Sequence, residues 1–358
     1  FTITTWGESH GPALGVVVDG CPAGIPLTSD YIQTFLDRRK PGQSKFTTAR
    51  KESDSVEILS GVFEGYTTGT PISLIVRNTD QRSHDYSKIK DCYRPGHADY
   101  TFDQKYGVRD YRGGGRTSGR ETIGRVAGGA IACRILEALG IHLTTYTKAI
   151  GPFSIPSDAY DYSAINENRL YMPNQKYAEQ ASAYLESCIR KQDSSGGLIE
   201  CMIHGMPSGI GEPVFNKLDA ALAKAVMSIG AVKGVEIGDG FSVVSSKGSK
   251  NNDSFFAENG QISKLTNHSG GILGGLSDGS PILLRAAIKP TPSISQPQKT
   301  VNTNGENIEI EISGRHDPVI VPRAVVVVES MAAVTLVDLL MQNMSSRIEY
   351  MKQVYLGI

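Results

Sequence analysis

Residues 111–130, YRGGGRTSGRETIGRVAGGA, decide how this chain is read. Gly113, Gly114 and Gly115 free the backbone to turn sharply. Ser118 and Glu121 then carry the S-x-x-E spacing of a capping box, which predicts a helix start. Ile123, Val126, Ala127, Ala130 and Ile131 recur at helical spacing, and Gly140 follows as a stop. A helix start exposes unpaired N–H groups and the positive end of a dipole, both attractive to anions. Arg109, Arg112, Arg116 and Arg120 surround this one, more positive charge than a capping turn needs. The stretch therefore predicts an anion pocket. The competing reading is an RNA-binding tether rich in Arg and Gly. Such tethers stay polar over dozens of residues, whereas this loop runs directly into an apolar helix.

The rest of the composition narrows the field. A chain of 358 residues, 39% of them hydrophobic, can bury a sizeable core. Mean hydropathy is −0.20, as expected of a water-soluble globule. A net charge of −1 gives no bulk reason to bind DNA or acidic lipid, so anion binding has to come from local clustering of arginine. Cys21, Cys92, Cys133, Cys188 and Cys201 are scattered without a C-x-x-C pair, which argues against a disulfide framework or zinc ribbon and for a reducing cytoplasm. No signal-peptide pattern stands at 1–19. The most apolar segment, 324–340, contains Glu329 and Asp338 and reads as a buried strand-to-helix element rather than a membrane span.

Periodicity predicts strands over 13–19, 56–61, 71–76, 197–203, 235–237, 280–288 and 308–313, with helices over 28–39, 215–228 and 332–344. A weak duplication runs through this order. D-G-C-P-A-G-I at 19–25 matches H-G-M-P-S-G-I at 204–210; each is followed by a helix, by V-E-I (56–58, 235–237) and by G-[TS]-P-I (69–72, 279–282). We therefore expect one α+β domain over 1–358, with repeated halves at about 1–150 and 195–345 and a connecting insertion at about 151–194.

Several loops carry residues able to do chemistry. In G-E-S-H-G (7–11), glycines bracket Ser9 and His10, and imidazole trades a proton near neutral pH. This is not the G-x-S-x-G nucleophile elbow, although a phosphate-ester hydrolase using Ser9 and His10 is a rival reading. R-P-G-H-A-D (94–99) fixes a turn and offers Arg94 as an anion contact and His97 as an acid. G-R-H-D-P (314–318) sets a guanidinium, an imidazole and a carboxylate in consecutive positions. His97, Asp99, His316 and Asp317 lack the spacing of a zinc or iron site, so no metal is expected. The cationic run 37–45, the loop N-H-S-G-G-I-L-G-G (267–275) and K-P-T-P-S (289–293) complete the set, while Walker and strand-linked G-x-G-x-x-G loops are missing.

Taken in order, GESHGPALGVVVDGCP (7–22), GRTSGRETIGRVAGGA (115–130) and RHDPVIVPRAVVVVESM (315–331) resemble the signature segments of the chorismate synthase family. DRRKPGQSKFTTARKESD, RPGHADYTFDQKYGVRDYRGGGR and GGILGGLSDG between them do so too, and the likeness covers essentially the whole chain. It implies a β-α-β sandwich, a cytoplasmic homotetramer and conversion of 5-enolpyruvylshikimate 3-phosphate to chorismate by trans-1,4 elimination of phosphate and the C6 proton. It also implies dependence on FMN in its reduced form (FMNH2), with NADPH a candidate reductant; no separate flavin-reductase domain is visible, which favours an external source. Nucleic-acid and membrane partners are not implied.

Carried over by position, His10 would protonate near flavin N1 and His97 would protonate the departing phosphate. Asp317, assisted by Ser9, would help pass the C6 proton through flavin N5. Arg39, Lys45, Arg94, Arg120 and Arg315 would bind the anions of the substrate. Arg116, Thr117, Ser118, Gly230, Ala231, Gly274, Lys289, Pro290, Thr291, Pro292, Ser293 and Arg315 would line the FMN pocket. Lys45, Gly230 and Pro292 stand where many members carry Arg, Asn and Ser, which trades a bidentate contact for a point charge at the first and removes side-chain hydrogen bonds at the other two.

Overall fold

The computed structural model describes residues 1–42, 46, 52–79, 89–312 and 317–357. Two antiparallel sheets dominate it. The first runs β1 (Thr2–Gly7), β2 (Ala13–Asp19), β3 (Val56–Ile58) and β4 (Ile72–Arg77) in the order β1-β2-β4-β3. The second runs β5 (His142–Ile150), β6 (Phe153–Ser154), β7 (Gly197–His204), β8 (Val232–Ile237) and β9 (Ile282–Ile288) in the order β8-β9-β7-β5-β6. The longer helices are α1 (Ser29–Arg39), α2 (Asp99–Tyr106), α3 (Thr122–Ala138), α4 (Gln175–Arg190), α5 (Leu218–Met227), α6 (Val321–Asn343) and α7 (Ile348–Leu356).

Strand patterning explains the layering. β9 alternates buried and half-buried residues, with Ile282, Leu284, Ala286 and Ile288 turned to the core. α3 packs on β1 and β2, α6 packs on β5 and β7, and the two helices lie against each other between the sheets. Both helices are apolar nearly all round, as expected of helices covered on several sides. Glycines on α3 permit the close approach: a Cβ at Gly124 would stand 2.9 Å from the Gly15 carbonyl oxygen, and one at Gly129 would stand 2.2 Å from the Ser330 Cβ of α6.

The two matched turns make matching hydrogen bonds. The Thr67 hydroxyl donates to the Pro22 carbonyl and accepts from the Ile25 amide, while the Ser277 hydroxyl donates to the Pro207 carbonyl and accepts from the Ile210 amide. Residues 151–194 contribute β6 and α4.

Some expectations shift. The helix expected at 332–344 starts at Val321, so the expected strand-to-helix element at 324–340 is helix throughout. The β-branched run Val325–Val328 reads as strand by propensity, but burial against the second sheet and against α1, α3 and α5 overrides that weak preference. α6 is long and apolar enough to cross a membrane, yet 72% of its most apolar window is buried inside the fold, as in a core helix. The helix expected at 215–228 begins at Leu218, and Phe215 lies exposed ahead of it. Ser118 caps a 3-10 turn over Gly119–Glu121 by accepting from the Arg120 amide. Glu121 accepts from Thr5 and Arg125, so the expected reciprocal capping box does not form and α3 starts at Thr122.

Gly129→Ala tests the helix–helix contact. The added methyl gains about 1 kcal/mol of helix propensity but overpacks the α3–α6 seam at a cost of about 1–3 kcal/mol. The expected net result is a lower urea midpoint with an unchanged m-value.

Candidate active site

The G-E-S-H-G loop leaves β1 at Gly7, whose φ of +85° suits glycine. Asn78, just past β4, donates from its side-chain nitrogen to the Glu8 carbonyl at 3.1 Å and the Gly11 carbonyl at 2.7 Å. That side chain closes the loop and fixes the direction of Ser9 and His10. Gly113 presses on both: a Cβ there would sit 2.3 Å from His10 Cε1 and 3.1 Å from Ser9 Oγ. The first glycine of the opening stretch thus serves close approach as well as turning.

Beneath this loop lies a buried cluster of charges. Arg39, the last residue of α1, and Arg120, in the turn before α3, both reach Asp54, which precedes β3. The Arg39 Nη2 donates to Asp54 Oδ2, and the Arg120 Nη1 donates to Oδ1 at 3.2 Å. Arg120 also donates through Nε and Nη2 to Asn78 Oδ1 at 3.0 and 2.7 Å. Arg323, in the first turn of α6, donates to the Arg39 carbonyl at 2.9 Å and to Asp317 Oδ2 at 2.5 Å. Burial alone would raise the Asp54 carboxyl, but Arg39 and Arg120 outweigh it and hold Asp54 below the usual carboxylate range. Burial, opposed by Asp54, pushes the Arg39 guanidinium down to about 10. Among the described residues the buried Arg39 Nε has no hydrogen-bond partner.

The R-P-G-H-A-D loop docks onto the K-P-T-P-S loop. The His97 Nε2 lies 2.8 Å from Ser293 Oγ, and the Lys289 ammonium donates to the Gly96 carbonyl at 2.6 Å. A Cβ at Gly96 would meet Pro292 at 2.8 Å. Arg94 forms a two-pronged pair with Asp99, with both nitrogens at 2.8 Å. The Lys289 amide bonds the Ala231 carbonyl at 2.9 Å, which brings that turn to the same loop. Ser293 is buried, and the buried Thr291 hydroxyl has no partner among the described residues.

The four arginines of the opening stretch do not converge as the expected anion pocket. Arg109 serves Asp99, Asp103 and the Lys90 and Cys92 carbonyls. Arg112 pairs with Asp110 at the surface. Arg116 donates to the Gly7 carbonyl and the Thr5 hydroxyl, bracing the end of β1. Only Arg120 joins the buried cluster, because each guanidinium found a carboxylate or carbonyl nearer than the helix start. Thr117 donates to the Gly114 carbonyl. Gly230 and Gly274 are exposed, and a Cβ at either would meet nothing within 4 Å. Lys45 and Arg315, with His316, lie outside the described residues.

The sequence reading missed Asp54, Asn78 and Arg323, which tie the site together. Nothing in the spacing of KESD, RNT or VPR marks them, since their partners lie far away in sequence: 66 residues from Asp54 to Arg120 and 42 from Asn78 to Arg120. Among the described residues no three His, Cys, Asp or Glu side chains group as a metal site.

The depressed Asp54 carboxyl sets a pH dependence. Its ion pairs contribute stability that is complete above the unfolded-state value of about 3.9 and is lost as pH falls through the lower folded value. Between pH 5 and 2 the unfolding free energy of the wild type should therefore fall more steeply than that of Asp54→Asn, by at most about 1.4 kcal/mol per pH unit for one extra proton. Urea unfolding at stepped pH measures the difference.

A family model described as chorismate synthase matches residues 1–341. The chain is 65% identical over 356 residues to a chorismate synthase of Lachnoclostridium phytofermentans, covering 99% of this chain and 97% of that one. It is 62% identical over 355 residues to a chorismate synthase of Agathobacter rectalis, with coverage of 99% and 97%. A crystal structure of chorismate synthase superposes with a TM-score of 0.77 at 30% identity, covering 98% of this chain and 95% of that chain. With motif order, layered fold and full-length likeness in agreement, the chain belongs to the chorismate synthase family.

Proposed function

We propose that the linked cluster running from Asp317 through Arg323, Arg39, Asp54, Arg120 and Asn78 to the His10 loop is where this chain converts 5-enolpyruvylshikimate 3-phosphate to chorismate. The enzyme is a lyase of the shikimate pathway, and its substrate is a small molecule. The observation that carries the placement is the unbroken run of contacts joining residues from the ends of β1, β4, α1 and α6 to the turn before α3. The substrate bears two carboxylates and a phosphate, and guanidinium forks suit planar anions. The Arg39 Nε, without a partner among the described residues, is a donor such an anion would satisfy.

The residues present fit a flavin. The buried Thr291 hydroxyl lacks a partner among the described residues, and the exposed backbones at Gly230 and Gly274 leave open space for a ring. Arg116–Ser118, Gly230, Ala231, Gly274, Lys289–Ser293 and Arg315 would hold FMN, with Arg315 outside the described residues. Reduced FMN, when bound, supplies electron density for a reaction with no net redox change. The chain's own groups do the rest. His97 carries a proton to the departing phosphate, its ring held by Ser293 Oγ. His10 holds a proton on its imidazole, and Asp317, assisted by Ser9, helps carry the C6 proton away while Arg323 fixes its carboxylate. Arg94 and Lys45 add to the anion contacts, Arg94 from within its pair with Asp99.

The same reading takes the chain as one domain made of two related halves layered as a β-α-β sandwich. Supporting it are the equal strand orders β1-β2-β4-β3 and β5-β7-β9-β8 and the twin Thr67 and Ser277 turns. It further takes the protein as a cytoplasmic homotetramer, its five cysteines free and buried, with NADPH or another external source keeping FMN reduced.

Anaerobic protein with dithionite-reduced FMN and the enolpyruvyl substrate should generate the chorismate diene absorbance; activity with oxidised FMN alone would count against the reading. His97→Ala should lower turnover about 10²–10⁴-fold while FMN affinity stays near wild type. Gly113→Ala, which drives a methyl into His10 on backbone at φ +72°, should cost about 100-fold in turnover and lower the urea midpoint as well.

A further inference from the structure

We infer that Asp54 is a positioning residue for substrate recognition: its one carboxylate sets the geometry of the Arg39 and Arg120 guanidiniums. This rests on the proposed reading of those arginines as anion-binding groups. Asp54 itself is not among the groups expected to touch substrate, and its negative charge would repel a phosphate or carboxylate at contact distance.

Three features set it apart from an ordinary ion pair. Its side chain is 0% exposed and that of Arg39 1%, so the contact is shielded from water and salt. Its two oxygens are divided, Oδ2 to Arg39 and Oδ1 to Arg120, so one rigid group fixes both cations at once. Its backbone adopts φ +46°, a left-handed conformation unusual for a non-glycine residue. Strain of this kind persists where the surroundings over-determine it and clusters at functional sites. A carboxylate needed only for net charge could sit on relaxed backbone.

The rest of the cluster completes the hold. Asn78 accepts from the Nε and Nη2 of Arg120, Glu52 stands 3.8 Å from its Nη1, and the Gly119 carbonyl accepts from Arg39 at 3.4 Å. Arg323 reaches the Arg39 carbonyl. Arg39 keeps its Nε without a partner among the described residues, an orphan donor that a substrate oxygen would satisfy. Asp54 thus occupies one side of the guanidinium and leaves another for the ligand. Long arginine side chains otherwise lose much rotamer freedom on binding, so holding them in place beforehand lowers that entropic cost.

The test compares wild type, Asp54→Asn, Arg120→Ala and the double variant in steady-state assays with saturating reduced FMN, each first checked for folding by near-UV circular dichroism. Asp54→Asn keeps the shape and removes the charge. It should raise KM for 5-enolpyruvylshikimate 3-phosphate at least tenfold, with FMN affinity within twofold of wild type. In the double variant the effects should not multiply, because Asp54 acts through the missing guanidinium. A folded Asp54→Asn with KM within twofold of wild type, a lowered KM, or fully multiplicative effects in the double variant would overturn the proposal. Where Asp54→Asn does not fold, Asp54→Glu keeps the charge and displaces both cations; a raised KM supports the assignment and an unchanged KM overturns it. Failure of the underlying reading looks different: Arg39→Ala and Arg120→Ala would then leave KM unchanged, or the wild type would form no chorismate.

Discussion

A single carboxylate buried between two buried guanidiniums holds this site together. Asp54 could not be ionised there alone, since burial penalises its charge, and neither Arg39 nor Arg120 could be left without a counter-charge. Each is tolerable only with the others in place. Because Arg39 ends α1, Arg120 precedes α3 and Asp54 leads into β3, satisfying the charges fixes three element ends relative to one another. Asn78 then carries that constraint to the loop of Ser9 and His10, and Arg323 carries it to Asp317.

The layered core makes that arrangement rigid. α3 and α6 touch through Gly129 and Ser330, and α3 nests on the first sheet through Gly124. Arg120 and Arg323 stand at the beginnings of these same helices. A close-packed interior resists small displacements, so helices seated this tightly deliver their first-turn arginines to a fixed place. The second contact zone, where His97 meets Ser293 and Lys289 meets Gly96, is built by loops. Its precision comes from Pro292 packing against a glycine and from Lys289 bonding Ala231.

Charge explains why the expected anion pocket is differently made. The density of arginine in residues 111–130 is real, but a guanidinium folds onto whichever acceptor lies within reach. Arg109, Arg112 and Arg116 stabilise loops and the end of β1, and of the four Arg120 alone reaches Asp54. The same stretch contributes as much through Gly113, whose missing side chain makes room for His10. Counting arginines located the region; it did not reveal which of them would be available to a ligand.

By itself the sequence determined the family likeness, the α+β class, the strand at Ala13–Asp19, the helix over 28–39 and the histidine-bearing loops. These are local properties: hydrophobic period, caps, glycine turns and motif order are written in neighbouring residues. Tertiary structure decided that Val325–Val328 is helix, that Ser118 and Glu121 part company, and that Asp54, Asn78 and Arg323 join the site. Burial overrode propensity in the first case. In the others the partners come from distant parts of the chain, and only packing the two sheets around α3 and α6 brings those charges within hydrogen-bonding distance.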